Sequence, residues 1–238
     1  MPSNKFPFGT PNFETAARWL HLAPADDGPV WMVNLMKYRE QADYGDGDTR
    51  GLSGKEADDA YSPLGPLAAI GAVVALHGDV IEQTAGEPAW DRIGIVRYPS
   101  RASFFAMQDR DDFKRQYTHK QAGMEFTIVM GCLPTDSVGA PLPSGGDYVM
   151  RVRRFAGGTD VGEDPEGVTP VARFDVDGVI LGDQRPWDEV RFDLADADQM
   201  ARMSEVPGVE EQVIVRVERA IDRLVDSIRT ADDAKGQQ

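Results

Sequence analysis

The chain has 238 residues, is 41% hydrophobic and carries a formal net charge of −15 at pH 7. That length allows one large domain or two small ones with a sizeable apolar core. The acidic charge repels phosphate backbones and anionic lipid headgroups, which argues against nucleic acid and membranes as partners. We find neither a segment apolar enough to span a bilayer nor a signal-peptide pattern, and the single cysteine, Cys132, excludes an internal disulfide. We therefore expect a cytoplasmic protein.

Residues 1–28 predict an N-terminal extension with a short helix that begins after Asn12, a favourable N-cap residue. Residues 29–39 then alternate in side-chain character and predict a strand. The two faces of this strand differ in chemistry, because one is apolar and the other contains methionines and an amide. The apolar face holds Trp31, Val33 and Leu35, and the softer face holds Met32, Asn34, Met36 and Tyr38.

Residues 40–58 are rich in aspartate and glycine, which predicts a mobile surface loop over a mouth of the barrel described below. We expect a helix from about residue 64 to Gly78, with His77 near its end, and a strand over residues 79–84. Tyr61 lies at the start of this helical segment, beside the acidic loop.

The stretch from Trp90 to Cys132 predicts a strand, a turn, two helices and a second strand. Ser100 follows Pro99 and is the expected N-cap of the first helix. Asp111 and its neighbour fit the first turn of the second helix, where carboxylates oppose the positive end of the helix dipole. This stretch carries most of the information about the fold.

Residues 134–146 have the composition of a linker, with three prolines and three glycines. Beyond them the chain contains a weaker copy of the first half, in which Trp187-Asp188 matches Trp90-Asp91 at an offset of 97 residues. The copy has a loop at residues 156–170 where the first half has a helix. Asp177-Gly178 suggests a tight turn, and apolar spacing over residues 214–228 predicts a long closing helix. The tail, residues 231–238, is expected to be disordered.

The element order β-α-β-β-α-β in the first half predicts an α+β fold of the ferredoxin-like type. A single antiparallel sheet would leave its second face uncovered, and the second half can supply a covering sheet. We therefore predict two tandem ferredoxin-like units, residues 29–133 and 147–230, that form an intrachain, pseudo-dimeric α+β barrel. The softer face of the first strand is expected to point into that barrel.

Four segments carry a resemblance to a known family: PVWMVNLMKYR, AYSPLG, WDRIGIVRYPSRASFFAM and DDFKRQYTHKQAG. In this order they resemble an uncharacterised family, domain of unknown function 1330, of the dimeric α+β barrel superfamily. The match covers about residues 29–132, and the second half keeps only the Trp-Asp pair and the strand rhythm. The resemblance implies a ferredoxin-like fold that pairs into a barrel. The superfamily includes cofactor-free monooxygenases, polyketide-type cyclases, muconolactone-type isomerases and haem enzymes.

Three residues are predicted to be catalytic. His119 occupies the position of the family's late histidine and is a candidate general acid or base, although a structural helix histidine is the alternative. Tyr61 can donate a proton to an enolate or phenolate oxygen, or simply pack at the helix end. Asn34 is a lone amide between two methionines and needs a partner, either a ligand or a neighbouring side chain. The predicted substrate-binding residues are Met32, Met36, Trp90, Asp91, Tyr98 and Arg151.

Core packing is the alternative for the methionines. An ion pair within the protein is the alternative for Arg151 and, with Arg92 or Arg97, for Asp91. The sequence has no phosphate-binding glycine motif and no cysteine–histidine cluster at zinc spacing, so we expect no cofactor and no metal. Haem bound through His119 is a minor alternative. We predict a barrel closed within one monomer, or a homodimer.

The predicted function is proton-transfer chemistry without a cofactor, namely cyclisation, isomerisation or elimination, on a small, partly apolar, oxygenated organic molecule, neutral or anionic. A cofactor-free monooxygenase would use the same residue types and is the enzymatic alternative. A barrel that binds a ligand without turnover is the non-enzymatic alternative.

Overall fold

The computed structural model describes residues 8–45, 47–61, 63–135, 147–157 and 161–235. These residues form nine strands and seven helices. In chain order they are β1 (Thr10–Pro11), α1 (Phe13–Leu20), β2 (Val30–Tyr38), α2 (Gly54–Ala60), α3 (Leu64–Ala69), β3 (Val73–Ala85), β4 (Arg92–Tyr98), α4 (Arg101–Asp109), α5 (Asp111–Gly123), β5 (Met124–Pro134), β6 (Tyr148–Phe155), β7 (Thr169–Gly182), β8 (Glu189–Leu194), α6 (Ala197–Met203), β9 (Val209–Asp222) and α7 (Leu224–Lys235).

Eight of these strands close into an antiparallel barrel in the order β2-β4-β3-β9-β6-β8-β7-β5, with β5 returning to β2. The short β1 adds to the end of β7. Within the first half the order is β5-β2-β4-β3, and within the second it is β9-β6-β8-β7. Each half thus places its fourth strand first, followed by its first, third and second. The predicted intrachain barrel is confirmed.

The barrel interior is filled with side chains from both halves, as expected for a barrel of eight strands. Trp31 contacts Phe174 across the interior, with ring centroids 6.0 Å apart, and Phe174 packs edge-on against Phe192. Val33 and Leu35 point the same way as Trp31 and are completely buried. The expectation that the softer face of β2 points inward is therefore wrong: the bulkier apolar face does, and the softer face lies beneath the helices.

The two Trp-Asp pairs occupy equivalent places in the two halves. The carboxylate of Asp91 accepts a hydrogen bond from the backbone amide of Tyr38 at 2.7 Å, and that of Asp188 accepts one from the amide of Phe155 at 2.7 Å. Both aspartate backbone amides also donate to a strand carbonyl at 2.9 Å, that of Met36 in the first half and that of Arg153 in the second. Asp91 therefore stabilises the end of β2 through these hydrogen bonds.

Two predicted helices are strands instead. The apolar residues at 213, 215 and 217 alternate as well as they follow a helical spacing, and they lie in β9 facing the barrel core. The chain turns into a helix only at Leu224. Likewise α3 ends at Ala69 and β3 begins at Val73, so His77 and Gly78 lie within a strand. In both places β-branched residues and pairing with a neighbouring strand decide the structure.

Three smaller predictions also differ from the structure. The segment 40–58 contains α2, which begins with a capping box between Ser53 and Glu56, and Ala42 in the same segment is buried. Asp177-Gly178 lies inside β7. The predicted disordered tail is helical as far as Lys235, whereas residues 236–238, like the linker positions 136–146, lie outside the described part of the chain.

Two helix starts are confirmed. The side chain of Asn12 accepts a hydrogen bond from the amide of Thr15 at 3.0 Å, and that of Ser100 accepts one from the amide of Ser103 at 3.0 Å. Asp111 and Asp112 lie in the first turn of α5. Among the residues that the structure describes, no helix is long and apolar enough to cross a membrane.

The strand-end role of Asp91 predicts a loss of stability when its carboxylate is removed. Asp91→Ala should lower the free energy of unfolding by about 1–3 kcal/mol, because the amide of Tyr38 loses its acceptor. Asp188→Ala is the matched variant in the second half and should cost a similar amount. Urea denaturation of both variants checks this. An unchanged stability for Asp91→Ala would contradict the assigned role.

Candidate functional site

A cavity of about 570 Å³ lies between the outer face of the first-half strands and the helices that cover them. Its walls are mainly apolar, and Phe13 and Leu64, which are exposed, lie at its mouth. The apolar walls include Met32, Met36, Leu67, Val74, Val96, Phe104, Phe105, Met107, Phe113, Val129 and Leu181. The polar and charged lining residues include Asn34, Asp58, Asp59, Tyr61, His77, Arg92, Tyr98, Tyr117 and Lys120.

The floor of the cavity is a row of residues that face one another across three strands. Gly94 on β4 is the register partner of Asn34 on β2 and also of His77 on β3. All three line the cavity. Since neighbouring strands lie about 4.8 Å apart, the two polar side chains rise roughly 10 Å apart with a residue lacking a side chain between them. A glycine inside a strand is typical of a place where a ligand approaches the backbone.

The amide of Asn34 is oriented by the backbone. Its Nδ2 donates to the carbonyl of Met32 at 3.0 Å and, more weakly, to that of Gly94 at 3.4 Å. Because both partners are acceptors, the side-chain orientation is fixed and Oδ1 is left to accept. No partner for Oδ1 occurs among the described residues. Asn34 therefore offers a ligand a hydrogen-bond acceptor, and this orientation does not suit it to stabilise negative charge on a ligand oxygen.

Three phenols supply the donors. Tyr61, Tyr98 and Tyr117 all line the cavity. Burial raises the pKa of Tyr61 and of Tyr98 well above the ordinary value, and it raises that of Tyr117 to about 12. All three hydroxyls are consequently protonated at neutral pH and can donate hydrogen bonds. The Tyr98 hydroxyl reaches the sulfur of Met107 at 3.6 Å, a weak contact that a ligand oxygen can replace.

His77 is the histidine that reaches the cavity. Burial, aided by the positive charge of Arg92, lowers its pKa below the ordinary value, although the carboxylates of Asp58, Asp79 and Asp59 act in the opposite direction. Its ring is therefore neutral at pH 7. A neutral imidazole in an apolar cavity can accept a proton from a bound molecule.

Arg92 is buried at one end of the cavity and is held by three carboxylates. Its guanidinium donates to Asp79 at 2.7 Å, to Asp59 at 2.7 Å and to Asp58 at 3.2 Å. Asp58 also accepts a hydrogen bond from Tyr38 at 2.6 Å. Because all of these partners belong to the protein, the Arg92 guanidinium has a structural role here. Within the described ranges, no group of three or more histidine, cysteine, aspartate or glutamate side chains is arranged to hold a metal ion.

The structure brings together five of the nine predicted site residues. They are Asn34, Tyr61, Met32, Met36 and Tyr98, and all line the cavity. His119 does not join them, because on α5 it points away from the face that carries Tyr117 and Lys120. Its Nδ1 instead makes a 2.8 Å hydrogen bond with the hydroxyl of Tyr44.

The other three predicted residues have structural contacts away from the cavity. Trp90 is buried in the barrel core and stacks on Phe126 with ring centroids 5.8 Å apart. Asp91 binds the backbone of β2 as described above. Arg151 is completely buried and pairs with Asp193 and Asp164, each at 2.6 Å. For Arg151 this corresponds to the alternative of an ion pair within the protein. Asp91 pairs with Lys37 at 3.2 Å and not with Arg92 or Arg97, the partners that its alternative named.

At the same place in its sheet, the described part of the second half carries arginines. Counting from the two aspartates of the Trp-Asp pairs, Arg151 corresponds to Asn34 and Arg191 to Gly94. Arg151 and Arg191 face each other in register, and Arg173 faces Arg191 from the next strand. Asp193 and Asp164 pair with Arg151 and Arg191 at 2.6–2.8 Å. Paired arginine and aspartate side chains thus stand at the positions that correspond to the cavity floor of the first half.

Sequence analysis missed three residues of the site. The sequence pattern predicts His77 near the end of a helix, and it singles out neither Gly94 nor Lys120. The sequence does contain a signal for His77 and Gly94, because a glycine flanked by isoleucines in a buried strand is unusual and the facing strand carries a histidine. Lys120 follows His119 directly, and helix phase alone decides which of the two faces the sheet.

No family model and no curated protein matches the chain. Among solved structures it is similar to RPA0582 of Rhodopseudomonas palustris, a protein of unknown function, with 28% identity over 54% of this chain and 97% of that one and a TM-score of 0.45. It is also similar to FN1347 of Fusobacterium nucleatum, a candidate monooxygenase, with 10% identity over 82% of this chain and 94% of that one and a TM-score of 0.42. A chlorite dismutase of Candidatus Nitrospira defluvii is similar as well, with 8% identity over 90% of this chain and 98% of that one and a TM-score of 0.45. These TM-scores are low, so we take neither family nor activity from them.

A Cβ added at Gly94 would lie 3.2 Å from the Cε of Met36, the flexible end of a lining side chain, so a larger side chain at position 94 should narrow the cavity and block binding. The neutral apolar dye N-phenyl-1-naphthylamine should bind the wild-type cavity with enhanced fluorescence, and Gly94→Leu should weaken binding about ten-fold or more. Gly28→Leu is the matched control, since a side chain there meets no atom within 4 Å. Equal binding by wild type and Gly94→Leu would show that the dye does not enter this cavity.

Proposed function

We propose that the first-half cavity binds a small, largely apolar, oxygenated organic molecule and catalyses proton transfer on it without a cofactor. The observation that carries this proposal is the floor of the cavity, where His77 and Asn34 stand on either side of Gly94. A ligand lying over the glycine has a neutral base on one side and a hydrogen-bond acceptor on the other. Cyclisation, isomerisation and elimination are the reaction classes that such a proton transfer serves.

In this proposal His77 removes a proton from a carbon next to a carbonyl group of the substrate. Negative charge then develops on the carbonyl oxygen, and a neutral phenol, for which we favour Tyr61, donates a hydrogen bond to it. Asn34 Oδ1 accepts a hydrogen bond from a hydroxyl group elsewhere on the substrate and fixes its orientation. The apolar walls limit water at the reacting carbon, which strengthens both polar interactions.

We further infer that the two halves are tandem ferredoxin-like units. The strand order fourth, first, third, second in both halves supports this, as do the matching hydrogen bonds of Asp91 and Asp188. One chain then supplies both sheets of the barrel, and a second chain is not needed to close it. In this interpretation the second unit lost the helix between its first two strands and completes the barrel without a site of its own.

The proposed reaction predicts hydrogen exchange on a simple ketone. 2-Tetralone is a bicyclic ketone with acidic protons next to its carbonyl group, and the wild-type protein in D₂O should accelerate exchange of these protons, followed by NMR. His77→Gln keeps the size of the side chain but removes the base, and it should reduce the catalysed rate by about 10²–10⁴-fold. His119→Gln is the matched control and should retain the wild-type rate.

Thermal melting of each variant separates loss of the base from loss of the fold. A fully active His77→Gln protein would remove His77 from the mechanism, and an inactive but folded His119→Gln protein would restore the role predicted for His119 from the sequence. Oxygen consumption by the wild type with the same ketone would support the monooxygenase alternative instead. Binding without exchange or oxygen consumption would support a ligand-binding barrel.

The lowered pKa of His77 sets the pH dependence of this exchange. The imidazole must be neutral to accept a proton, so the rate falls as the pH drops through its pKa. Because burial and Arg92 lower that pKa, the rate should persist below about pH 6.5, the ordinary value for histidine. Exchange rates measured over a pH series check this. A midpoint above the ordinary value would contradict the environment assigned to His77.

A further inference from the structure

We propose that Lys120 is a nucleophilic amine that forms an imine with carbonyl compounds bound in the cavity. This inference rests on the proposed function, because it concerns the same cavity and names its ligands as aldehydes or ketones. Lys120 lies in the last turn of α5 and lines the cavity, one helical turn from Tyr117. Its Nζ lies 5.7 Å from the centroid of the Tyr61 ring.

Lys120 differs from the other lysines that the structure describes in its lack of a polar partner. Lys37 pairs with Asp91 at 3.2 Å, Lys55 pairs with Asp79 at 2.5 Å, and Lys114 donates to a backbone carbonyl at 2.9 Å. Within the described part of the chain, the Lys120 ammonium has neither a hydrogen bond nor an ion pair. An amine without a carboxylate partner is free to react with a ligand.

The surroundings of Lys120 favour the neutral amine, which is the nucleophilic form. Desolvation lowers its pKa, and the negative charge of Asp58 opposes this only in part. The phenol ring of Tyr61 is the neighbour that offers the ammonium some compensation, through a cation–π contact. A lysine placed only to neutralise an anionic ligand would gain from a polar environment, whereas the cavity that Lys120 lines is mainly apolar.

The chemistry balances without an oxidant or a cofactor. The lone pair of Nζ attacks the carbonyl carbon, forming a C–N bond as the C–O π bond breaks, and one of the two protons on nitrogen moves to the oxygen to give a neutral carbinolamine. Protonation of that hydroxyl group by a cavity donor such as Tyr61, and loss of the remaining proton from nitrogen, release water and leave a C=N bond. Protonated, the imine would acidify the neighbouring C–H bonds, where His77 acts in the proposed function.

Reductive trapping tests this inference on the full-length protein. The probe is 6-methoxy-2-naphthaldehyde, which has no proton on the carbon next to its carbonyl group, used with sodium cyanoborohydride at neutral pH. Peptide mass spectrometry should locate the adduct at Lys120, formed about ten times faster than at Lys114 on the same helix. N-Phenyl-1-naphthylamine should suppress labelling at Lys120 and leave Lys114 unaffected.

Variants complete the test. Lys120→Arg keeps the positive charge but cannot form an imine, and it should lose the preferential adduct, while the matched variant Lys114→Arg should keep it. Labelling at Lys120 no faster than at Lys114 would overturn the inference. So would a folded protein that fails to trap the aldehyde yet binds 2-naphthoate in a Lys120-dependent way, which would make Lys120 an anion-binding residue.

The outcomes also separate this inference from the proposed function. Trapping at Lys120 without exchange of 2-tetralone would support the nucleophilic lysine and contradict proton transfer by His77. Exchange without trapping would support His77 and contradict the imine.

Discussion

The interior of an eight-stranded barrel is only wide enough for its own side chains, and this constraint determines where a ligand can bind in this protein. Trp31 contacts Phe174, and Phe174 contacts Phe192, so rings from both halves pack together in the interior. The open space lies instead on the outside of the first-half strands, where helices bridge over the sheet. Binding therefore depends on how well the helices and the outer sheet face fill the space between them.

The two halves carry different residues at equivalent positions of the outer sheet face. The row Asn34–Gly94–His77 leaves a floor over which a ligand can lie, whereas the corresponding row in the second half consists of three arginines with their carboxylate partners. The arginines are tolerated because Asp164, Asp193 and Glu189 pair with them. Among the described residues, the candidate site lies in the first half, and the second half supplies the other four strands of the barrel.

Much of the fold could be predicted from the sequence, because alternation and the repeated Trp-Asp pairs are local signals. The faces of β2 could not be assigned, since both are largely apolar and only packing decides which one enters the barrel. His77 was misplaced for a related reason: its segment satisfies helical and strand spacing alike. The choice between His119 and Lys120 depends on the rotation of α5 about its axis, and residue types alone do not determine that rotation.

The central claim is that ligands bind beneath the first-half helices and not inside the barrel or in the second half. Methionine methyl groups report on this directly, since Met32, Met36 and Met107 line the cavity while Met150, Met200 and Met203 are buried elsewhere. The measurement is NMR of protein labelled with ¹³C at the methionine methyl groups and titrated with 2-tetralone. We expect shifts confined to the first three signals. Shifts of the second three with the first three unmoved would contradict the claim.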